Sequence, residues 1–191
     1  MNAFLQQYGG MILDKTRDHL VLALLAMLVA CAISVPLGIA LARCRARRFA
    51  KTVISMISLI QPIPSLALVA LVGALFLYMG LPTIGRPPGL VALIAYALLP
   101  IIRNTYTGIQ QVDNTVIEVA RGMGMTERQI LTRVELPLAL PFIMAGVRIS
   151  TVWTIGVATL VSLIGASSLG DLIFRGLSRG RVSLILAGAV P

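Results

Sequence analysis

The chain contains uncharged apolar stretches that are long enough to cross a lipid bilayer. The first runs from Leu20 to Ala42 without a charged residue, and a helix of that length spans the roughly 30 Å hydrocarbon core. Hydrophobic residues make up 58% of the 191 residues, which is more apolar surface than a soluble domain of this size buries. The sequence therefore predicts an all-α integral membrane protein.

Charged residues and prolines divide the apolar sequence into about five predicted transmembrane helices. We place them near residues 20–42, 53–80, 90–109, 141–165 and 182–191, all within one transmembrane domain over 1–191. Residues 1–19 are polar and predict a short amphipathic lead-in that ends at the only histidine, His19. The last apolar run is too short to cross a bilayer by itself, so it either begins a further span or re-enters the membrane.

Small residues recur at every fourth position in two of the predicted spans. In the first span they are Ala26, Ala30, Ser34, Gly38 and Ala42, and from the fourth span onwards they are Gly146, Ser150, Thr154, Ala158, Ser162 and Ala166. Stripes of this kind allow helix backbones to approach closely within a membrane. They predict a tightly packed bundle.

The distribution of basic residues predicts the orientation. Five of them lie together directly after the first span: Arg43, Arg45, Arg47, Arg48 and Lys51. With this loop in the cytoplasm, the predicted inner segments hold ten Lys and Arg residues and the outer segments six. The positive-inside rule then places the N-terminus outside and residues 113–137 in the cytoplasm. The net charge of +9 therefore needs no nucleic-acid partner.

The stretch from Asp113 to Pro137 is the one long polar run with both charge signs, and it predicts two short helices. Val116, Ile117, Ala120 and Met123 are predicted to share one face of the first helix. Gly122 and Gly124 should end that helix. Thr126 and Gln129 have the spacing of a capping box that starts the second helix. Pro137 should end the second helix. Periodicity alone fits equally well an amphipathic loop lying on the bilayer.

The same stretch resembles the EAA signature of the membrane permease subunits of bacterial ABC importers. Glu118-Val119-Ala120 is followed by Gly124 and then by Val134-Glu135-Leu136-Pro137. Val119 and Val134 replace an alanine and an isoleucine of the family pattern. The resemblance implies an ABC importer permease fold in which this cytoplasmic helix pair seats in a groove of an ATPase subunit. The coupling residues that it implies are Glu118, Ala120, Gly124, Leu136 and Pro137.

Nearly the whole chain resembles the permeases of importers for the osmoprotectants glycine betaine, carnitine and choline. The segments that carry the resemblance are 61–67, 96–104, 152–156 and 169–173. It implies a bacterial inner-membrane complex with ATPase subunits, a second permease (the same chain or a related one) and an external substrate-binding protein. It also implies a complete last helix, so we expect the sequence to be cut after Pro191.

The resemblance assigns ATP and Mg²⁺ to the partner ATPase and no cofactor to this chain, which also lacks a P-loop motif. Cation–π cages for quaternary ammonium groups are expected in the binding protein, and the sequence indicates none here. We predict no catalytic residue and no metal site, because no carboxylate or histidine lies well inside a predicted span. ATP hydrolysis is thus expected on another chain.

Candidate residues for the translocation path and for docking come from three places. Gln61, Pro62 and Pro64 interrupt the second span, either lining a path or forming a kink that neighbouring helices satisfy. Trp153 and Thr154 either line the path or, as we favour, pack between helices. An outer helix carries Arg175, Arg179 and Arg181, which either dock a binding protein or contact lipid phosphates.

Two alternatives to osmoprotectant import stay open at this point. Within transport, the alternative is an importer permease for amino acids or another small solute. The other is a membrane scaffold or channel subunit whose polar loop binds an intracellular partner. Substrate identity rests on resemblance alone, because the residues themselves point to no particular solute.

Overall fold

The computed structural model describes residues 2–44, 46–59 and 62–191, and every regular element within them is helical. The α-helices are α1 (Asn2–Ala42), α2 (Arg47–Ser58), α3 (Ser65–Tyr78), α4 (Arg86–Gln110), α5 (Asn114–Gly122), α6 (Glu127–Ile130), α7 (Leu136–Ala158), α8 (Gly170–Ser178) and α9 (Val182–Ala189). A π-helical segment, Leu131–Glu135, joins α6 to α7. A 3₁₀ segment, Leu160–Ile164, follows α7.

Three long helices form the centre of the molecule, with α4 packed against both α1 and α7. By length and composition, three helical stretches of the described chain are able to cross a membrane: Tyr8–Ala42, Arg86–Gln110 and Glu127–Ala158. Of the other predicted spans, residues 53–80 contain the second half of α2 and the shorter apolar helix α3, and residues 182–191 contain α9. The centre of the bundle therefore consists of three crossing helices, and shorter helices flank it.

The predicted stripes of small residues lie where these three helices meet. All five stripe residues of α1 are buried, as are the four stripe residues within α7. The Ser34 hydroxyl donates to the Leu98 carbonyl oxygen at 3.2 Å, and the Ser150 hydroxyl donates to the Ala97 carbonyl oxygen at 2.9 Å. A Cβ atom built on Gly146 would lie only 2.9 Å from the Pro100 carbonyl oxygen. The stripes thus allow near-backbone contact between α4 and its two neighbours.

The polar residues 8–19, predicted as a short amphipathic lead-in, are continuous with the first span in the single helix α1. Lys15 pairs with Asp171 of α8 and donates to the Ser167 hydroxyl at 2.9 Å. Arg86, at the start of α4, pairs with Asp18 at 2.7 Å. These partners are distant in sequence, so local polarity did not indicate them. They join the N-terminal part of α1 to the N-terminal ends of α4 and α8.

The second predicted span is broken at its prolines. Helix α2 ends at Ser58, and α3 begins at Ser65 with Pro64 as its N-cap residue. Between them, the Ile63 carbonyl oxygen accepts a hydrogen bond from the Tyr96 hydroxyl of α4 at 2.8 Å. Proline supplies no backbone N–H and cannot continue the helical ladder. The break is therefore fastened to α4 through a carbonyl group.

Pro137 does not end a helix, contrary to the prediction, because the chain is helical from Glu127 to Ala158. The π-helical segment immediately precedes it, and Pro137 occupies the second position of α7. Proline is tolerated in the first turn of a helix, where its missing N–H is of little consequence. The predicted fourth span therefore begins at Leu136 and is continuous with the end of the polar stretch.

We predict that Gly146→Ala destabilises the protein, because the new methyl group would meet Asn104 Cβ at 2.7 Å and the Pro100 carbonyl oxygen at 2.9 Å. Overpacking of this kind costs about 1–3 kcal/mol. The matched control is Gly156→Ala in the same helix, where no heavy atom lies within 4 Å and alanine is expected to be neutral or stabilising by up to about 1 kcal/mol. Thermal unfolding of the detergent-purified protein measures both, and equal midpoints would contradict the packing argument.

Candidate coupling surface and transmembrane cavity

Helix α5 begins with a side-chain cap. The Asp113 Oδ1 atom accepts a hydrogen bond from the Thr115 backbone N–H at 2.8 Å. This hydrogen bond holds the pKa of Asp113 below its ordinary value, because it favours the charged carboxylate. A negative charge there is also favoured by the dipole at the helix N-terminus. The start of the polar stretch is thus fixed locally by its own sequence.

A tight turn separates α5 from α6, as predicted. Helix α5 ends at Gly122, and Gly124 has φ +80°, a left-handed conformation that glycine adopts without steric cost. The Thr126 backbone N–H then donates to Gln129 Oε1 at 2.8 Å, and the Gln129 N–H donates to Thr126 Oγ1 at 3.4 Å. The predicted capping box is confirmed. The two helices form a hairpin whose turn is open to solvent.

The apolar residues of α5 are divided between an inner and an outer side. Ala120 is buried, whereas Val116, Val119 and Met123 are 42%, 58% and 71% exposed. The predicted apolar face of α5 is therefore only partly covered, since it includes the buried Ala120 and the exposed Val116 and Met123. Helix α5 packs mainly against α6 and the π-helical segment, and this narrow contact leaves much of its surface uncovered. The exposed residues form an apolar patch of the kind that binds a partner.

The predicted coupling residues lie at two levels of this region. Glu118 and Gly124 are exposed on the hairpin, and Ala120 is buried beneath it. Pro137 is exposed at the start of α7, and Leu136 packs with Ala42 and Ile109 at the ends of α1 and α4. Glu118 also borders a groove of about 310 Å³ between α5 and those helix ends. The motif thus joins an exposed hairpin to the long helices.

Arg43, the first residue after α1, fastens the hairpin to the bundle. Its guanidinium group pairs with the Glu127 carboxylate, and its Nη1 donates to the Glu127 carbonyl oxygen at 3.1 Å. Glu127 in turn accepts hydrogen bonds from Arg121 Nε at 3.0 Å and from Arg121 Nη2 at 2.7 Å. A continuous chain of alternating charges therefore runs from α5 through α6 to the end of α1.

The same arginine faces a buried carboxylate in the π-helical segment. Glu135 is 6% exposed, its Oε2 atom accepts no hydrogen bond among the described residues, and Arg43 Nε lies 3.6 Å from that oxygen. An unpaired buried charge is costly. Sequence reasoning used Arg43 only to predict orientation and therefore missed this pairing. The available signal was a glutamate between Val134 and Leu136, which needs a cation nearby.

A cavity of about 520 Å³ lies between α4 and α7. Its lining consists of Tyr96, Pro100, Arg103, Asn104, Ile149 and Trp153. Trp153 is 61% exposed, so the structure does not bury it between helices. Thr154 is placed elsewhere, because it is 1% exposed and its hydroxyl lies 3.5 Å from the Met27 sulfur of α1. Pro62 and Pro64 lie in the break between α2 and α3, and Gln61 lies outside the described residues.

The predicted docking arginines lie at the opposite end of the molecule from the hairpin. Arg175, Arg179 and Arg181 are exposed on or directly after α8. Lys15 anchors this helix to α1 through Asp171, and Arg181 Nη1 lies 3.4 Å from the Tyr8 hydroxyl. Their role in docking a binding protein stays a prediction.

Comparison with known proteins identifies similar membrane components. A family model described as "Binding-protein-dependent transport system inner membrane component" matches residues 34–191. The chain is 44% identical over 191 residues to the glycine betaine/carnitine/choline transport system permease protein OpuCB of Bacillus subtilis (strain 168), across 100% of this chain and 84% of that protein. It is 45% identical over 188 residues to the carnitine transport permease protein OpuCB of Listeria monocytogenes, across 98% of this chain and 83% of that protein.

Solved structures show the same fold at lower identity. An inward-facing structure of the MetNI methionine ABC transporter matches with a TM-score of 0.84 and 21% identity, across 96% of this chain and 88% of that chain. An amino acid ABC transporter with histidines matches with a TM-score of 0.77 and 20% identity, across 97% and 87% of the two chains. At these identities the likeness concerns the fold alone.

We predict that Arg43→Gln destabilises the protein by leaving Glu135 buried without a cation. The expected loss is about 1–2 kcal/mol, below the usual cost of breaking a buried pair, because the Arg43 side chain is 27% exposed and the two groups are 3.6 Å apart. Thermal unfolding in detergent provides the measurement.

The double variant Arg43→Gln with Glu135→Gln is the informative control for this pair. It removes the uncompensated charge and should recover most of the lost stability, since the two residues are coupled. Purely additive losses in the double variant would show that Arg43 and Glu135 do not interact.

Proposed function

Because the chain belongs to the family of binding-protein-dependent transport system inner membrane components and is a permease subunit of an ABC importer, we propose that it takes up osmoprotectants such as glycine betaine, carnitine or choline. The observation that carries the proposal is identity of 44% over the whole chain to a relative named for these three compounds. The methionine and amino acid transporters share only the fold with this chain, so they do not indicate which substrate it carries. Membership of this family favours a role in import over a role as a membrane scaffold or channel subunit.

The proposed assembly contains two permeases, ATPase subunits and an external substrate-binding protein. ATP and Mg²⁺ bind to the ATPase subunits, and this chain carries out no hydrolysis. In support, the patch formed by Val116, Val119 and Met123 is apolar and exposed, and a surface of this kind is stabilised when a partner covers it. The second permease is either another copy of this chain or a related one.

The α5–α6 hairpin is proposed as the ATPase coupling element. Its turn at Gly124 and its Glu118 side chain are exposed, so a partner groove can receive them. Two connections then lead into the bundle. One runs through Glu127 to Arg43 at the end of α1, and the other through Leu136 into α7. Movement of the ATPase subunits would therefore reach both helices.

We place the protein as a multi-pass component of the bacterial inner membrane, with its coupling hairpin in the cytoplasm and its N-terminus outside. In support, the hairpin lies at the end of the bundle where α1 and α4 finish and α7 begins. The ten basic residues assigned to that side by sequence exceed the six assigned to the other. Arg175, Arg179 and Arg181 then lie on the outer side, where a binding protein would dock.

Gentle purification from the native membrane, followed by mass spectrometry of the co-purifying chains, tests the assembly. We expect a P-loop ATPase and a binding protein, and the latter should bind glycine betaine, carnitine or choline in preference to amino acids. Absence of an ATPase, even after crosslinking from a cysteine placed beside Gly124, would contradict the coupling assignment. Preference of the binding protein for amino acids would contradict the proposed substrate.

We predict that Gly124→Trp abolishes transport while the protein still inserts into the membrane. No heavy atom lies within 4 Å of a Cβ built at this position, so the indole would project from the hairpin and obstruct ATPase docking. The control is Gly124→Asn, because asparagine tolerates φ +80° far better than tryptophan does. Uptake assays and immunoblots of membrane fractions measure both variants. Normal uptake in the tryptophan variant would rule out docking at this turn.

A further inference from the structure

Arg103 lies within the apolar length of α4 and makes no ion pair among the described residues. It is seven residues from the end of α4 at Gln110, a distance of about 10 Å along the helix axis. Its place near the end of the helix predicts a position close to the cytoplasmic surface, where a long side chain reaches out to water. The structure leaves the Arg103 side chain exposed and gives it a place in the lining of the 520 Å³ cavity. Its guanidinium group can therefore meet an anionic partner in that cavity.

Two aromatic side chains from different helices line the same cavity. Tyr96 of α4 is held by its hydrogen bond to the Ile63 carbonyl oxygen at 2.8 Å, which uses the hydroxyl and leaves the ring face available. Trp153 of α7 is the only tryptophan of the chain and is 61% exposed. Aromatic faces attract cations, and quaternary ammonium groups above all. Sequence reasoning found no such arrangement because the two residues are 57 positions apart.

The aromatic and basic residues occupy different levels of the cavity. On α4, Tyr96, Pro100 and Arg103 fall at i, i+4 and i+7, so they share one face. Tyr96 and Arg103 are about 10 Å apart along the axis, and the arginine side chain leans back toward the helix N-terminus. The cavity therefore presents π surfaces at one level and a guanidinium group at the next.

We propose that this cavity is a transit site for zwitterionic quaternary ammonium compounds, in which Tyr96 and Trp153 bind the trimethylammonium group and Arg103 binds the carboxylate. The proposal rests on the osmoprotectant function proposed above and adds a binding site within the membrane. The structure leaves Arg103 without an ion pair among the described residues, and it leaves the Trp153 indole 61% exposed beside the partly buried Tyr96. A ligand with a diffuse cation at one end and a carboxylate at the other satisfies both.

Trp153 also borders a second cavity of about 430 Å³, which Ser65, Gly156 and Thr159 help to line. Gly156 and Thr159 lie at the C-terminal end of α7 and Ser65 begins α3, whereas Ile149 and Arg103 lie nearer to the coupling hairpin. The indole therefore borders both cavities. A substrate that passes from one cavity to the other would move past it.

The site distinguishes substrates by charge. Glycine betaine and carnitine carry both a trimethylammonium group and a carboxylate, whereas choline carries only the cation. Arg103 should therefore assist the passage of glycine betaine and have no attractive contact with choline. A role for Arg103 in folding, or in binding a lipid headgroup, would affect both compounds equally.

The test measures uptake of radiolabelled glycine betaine and choline by the complete transporter, in cells that lack other uptake systems for these compounds. Saturating concentrations keep the external binding protein loaded, so that its own preference is removed from the comparison. The variants are Arg103→Gln, Trp153→Leu and Trp153→Phe. Arg148→Gln, the same change at an exposed arginine of α7 outside the cavity lining, is the matched control.

Arg103→Gln should lower glycine betaine uptake about tenfold and leave choline uptake within about twofold of normal, the effect of one charge-assisted contact. Trp153→Leu should lower uptake of both compounds about tenfold, and Trp153→Phe should retain most of it because a π face remains. Choline uptake reports the folding of Arg103→Gln. ATPase stimulation by the loaded binding protein reports the folding of the Trp153 variants.

Three results would overturn the proposal. Equal loss of both compounds in Arg103→Gln would assign Arg103 a structural or headgroup role, and unaffected uptake would remove it from the path. Equal uptake by the leucine and phenylalanine variants at position 153 would remove the cation–π contact. Failure of the unmodified transporter to take up either compound would instead refute the proposed function itself. Uptake by the unmodified transporter therefore distinguishes failure of the proposed transit site from failure of the proposed function.

Discussion

The close packing of α4 between α1 and α7 is the constraint on which the rest of this structure depends. Within a membrane, apolar side chains gain little by leaving lipid for one another, so helices associate through close contact and shared hydrogen bonds. Here a Cβ added to Gly38 would lie 2.7 Å from Thr105 Cβ, and one added to Gly108 would lie 2.8 Å from Phe142 Cβ. These contacts fix the positions of the helix ends, where Arg43 meets Glu135. They also fix the α4–α7 distance that forms the cavity.

The same packing joins the hairpin to the cavity over a distance that rigid helices can span. Leu136 packs against the ends of α1 and α4, and Trp153 lies seventeen residues further along the continuous helical stretch, about 25 Å away. A displacement of the hairpin transmitted through Leu136 would move the α7 wall of the cavity relative to α4. Arg43 carries the same displacement into α1. The proposed coupling movement of the hairpin would thus reach the proposed transit site without a flexible connection.

Local patterns predicted much of this architecture, and long-range pairing accounts for what they missed. The small-residue stripes and the Thr126 capping box depend on neighbours within one helix, so their spacing in the sequence was sufficient. The pairing of Arg43 with Glu135, and of Lys15 with Asp171, depends on residues that only the fold brings together. Pro137 was misjudged because the preceding π-helical segment changes the hydrogen-bonding register, which no residue type specifies. The outward position of Met123 depends on how little of α5 the rest of the chain covers.

Coupling and substrate contact make different demands on a sequence, and this difference explains what could be recognised in it. In the proposed coupling role, the hairpin would fit a groove on another chain, so its requirements would fall on one short segment with a fixed spacing from Glu118 to Pro137. The cavity collects Tyr96 and Arg103 from α4 and Trp153 from α7, and each alone is unremarkable in a helix. A motif therefore identified the class of transporter, whereas the proposed solute contacts appear only in the fold, where α4 and α7 lie side by side. The residues proposed to determine specificity lie on two helices, so no single segment of the sequence contains all of them.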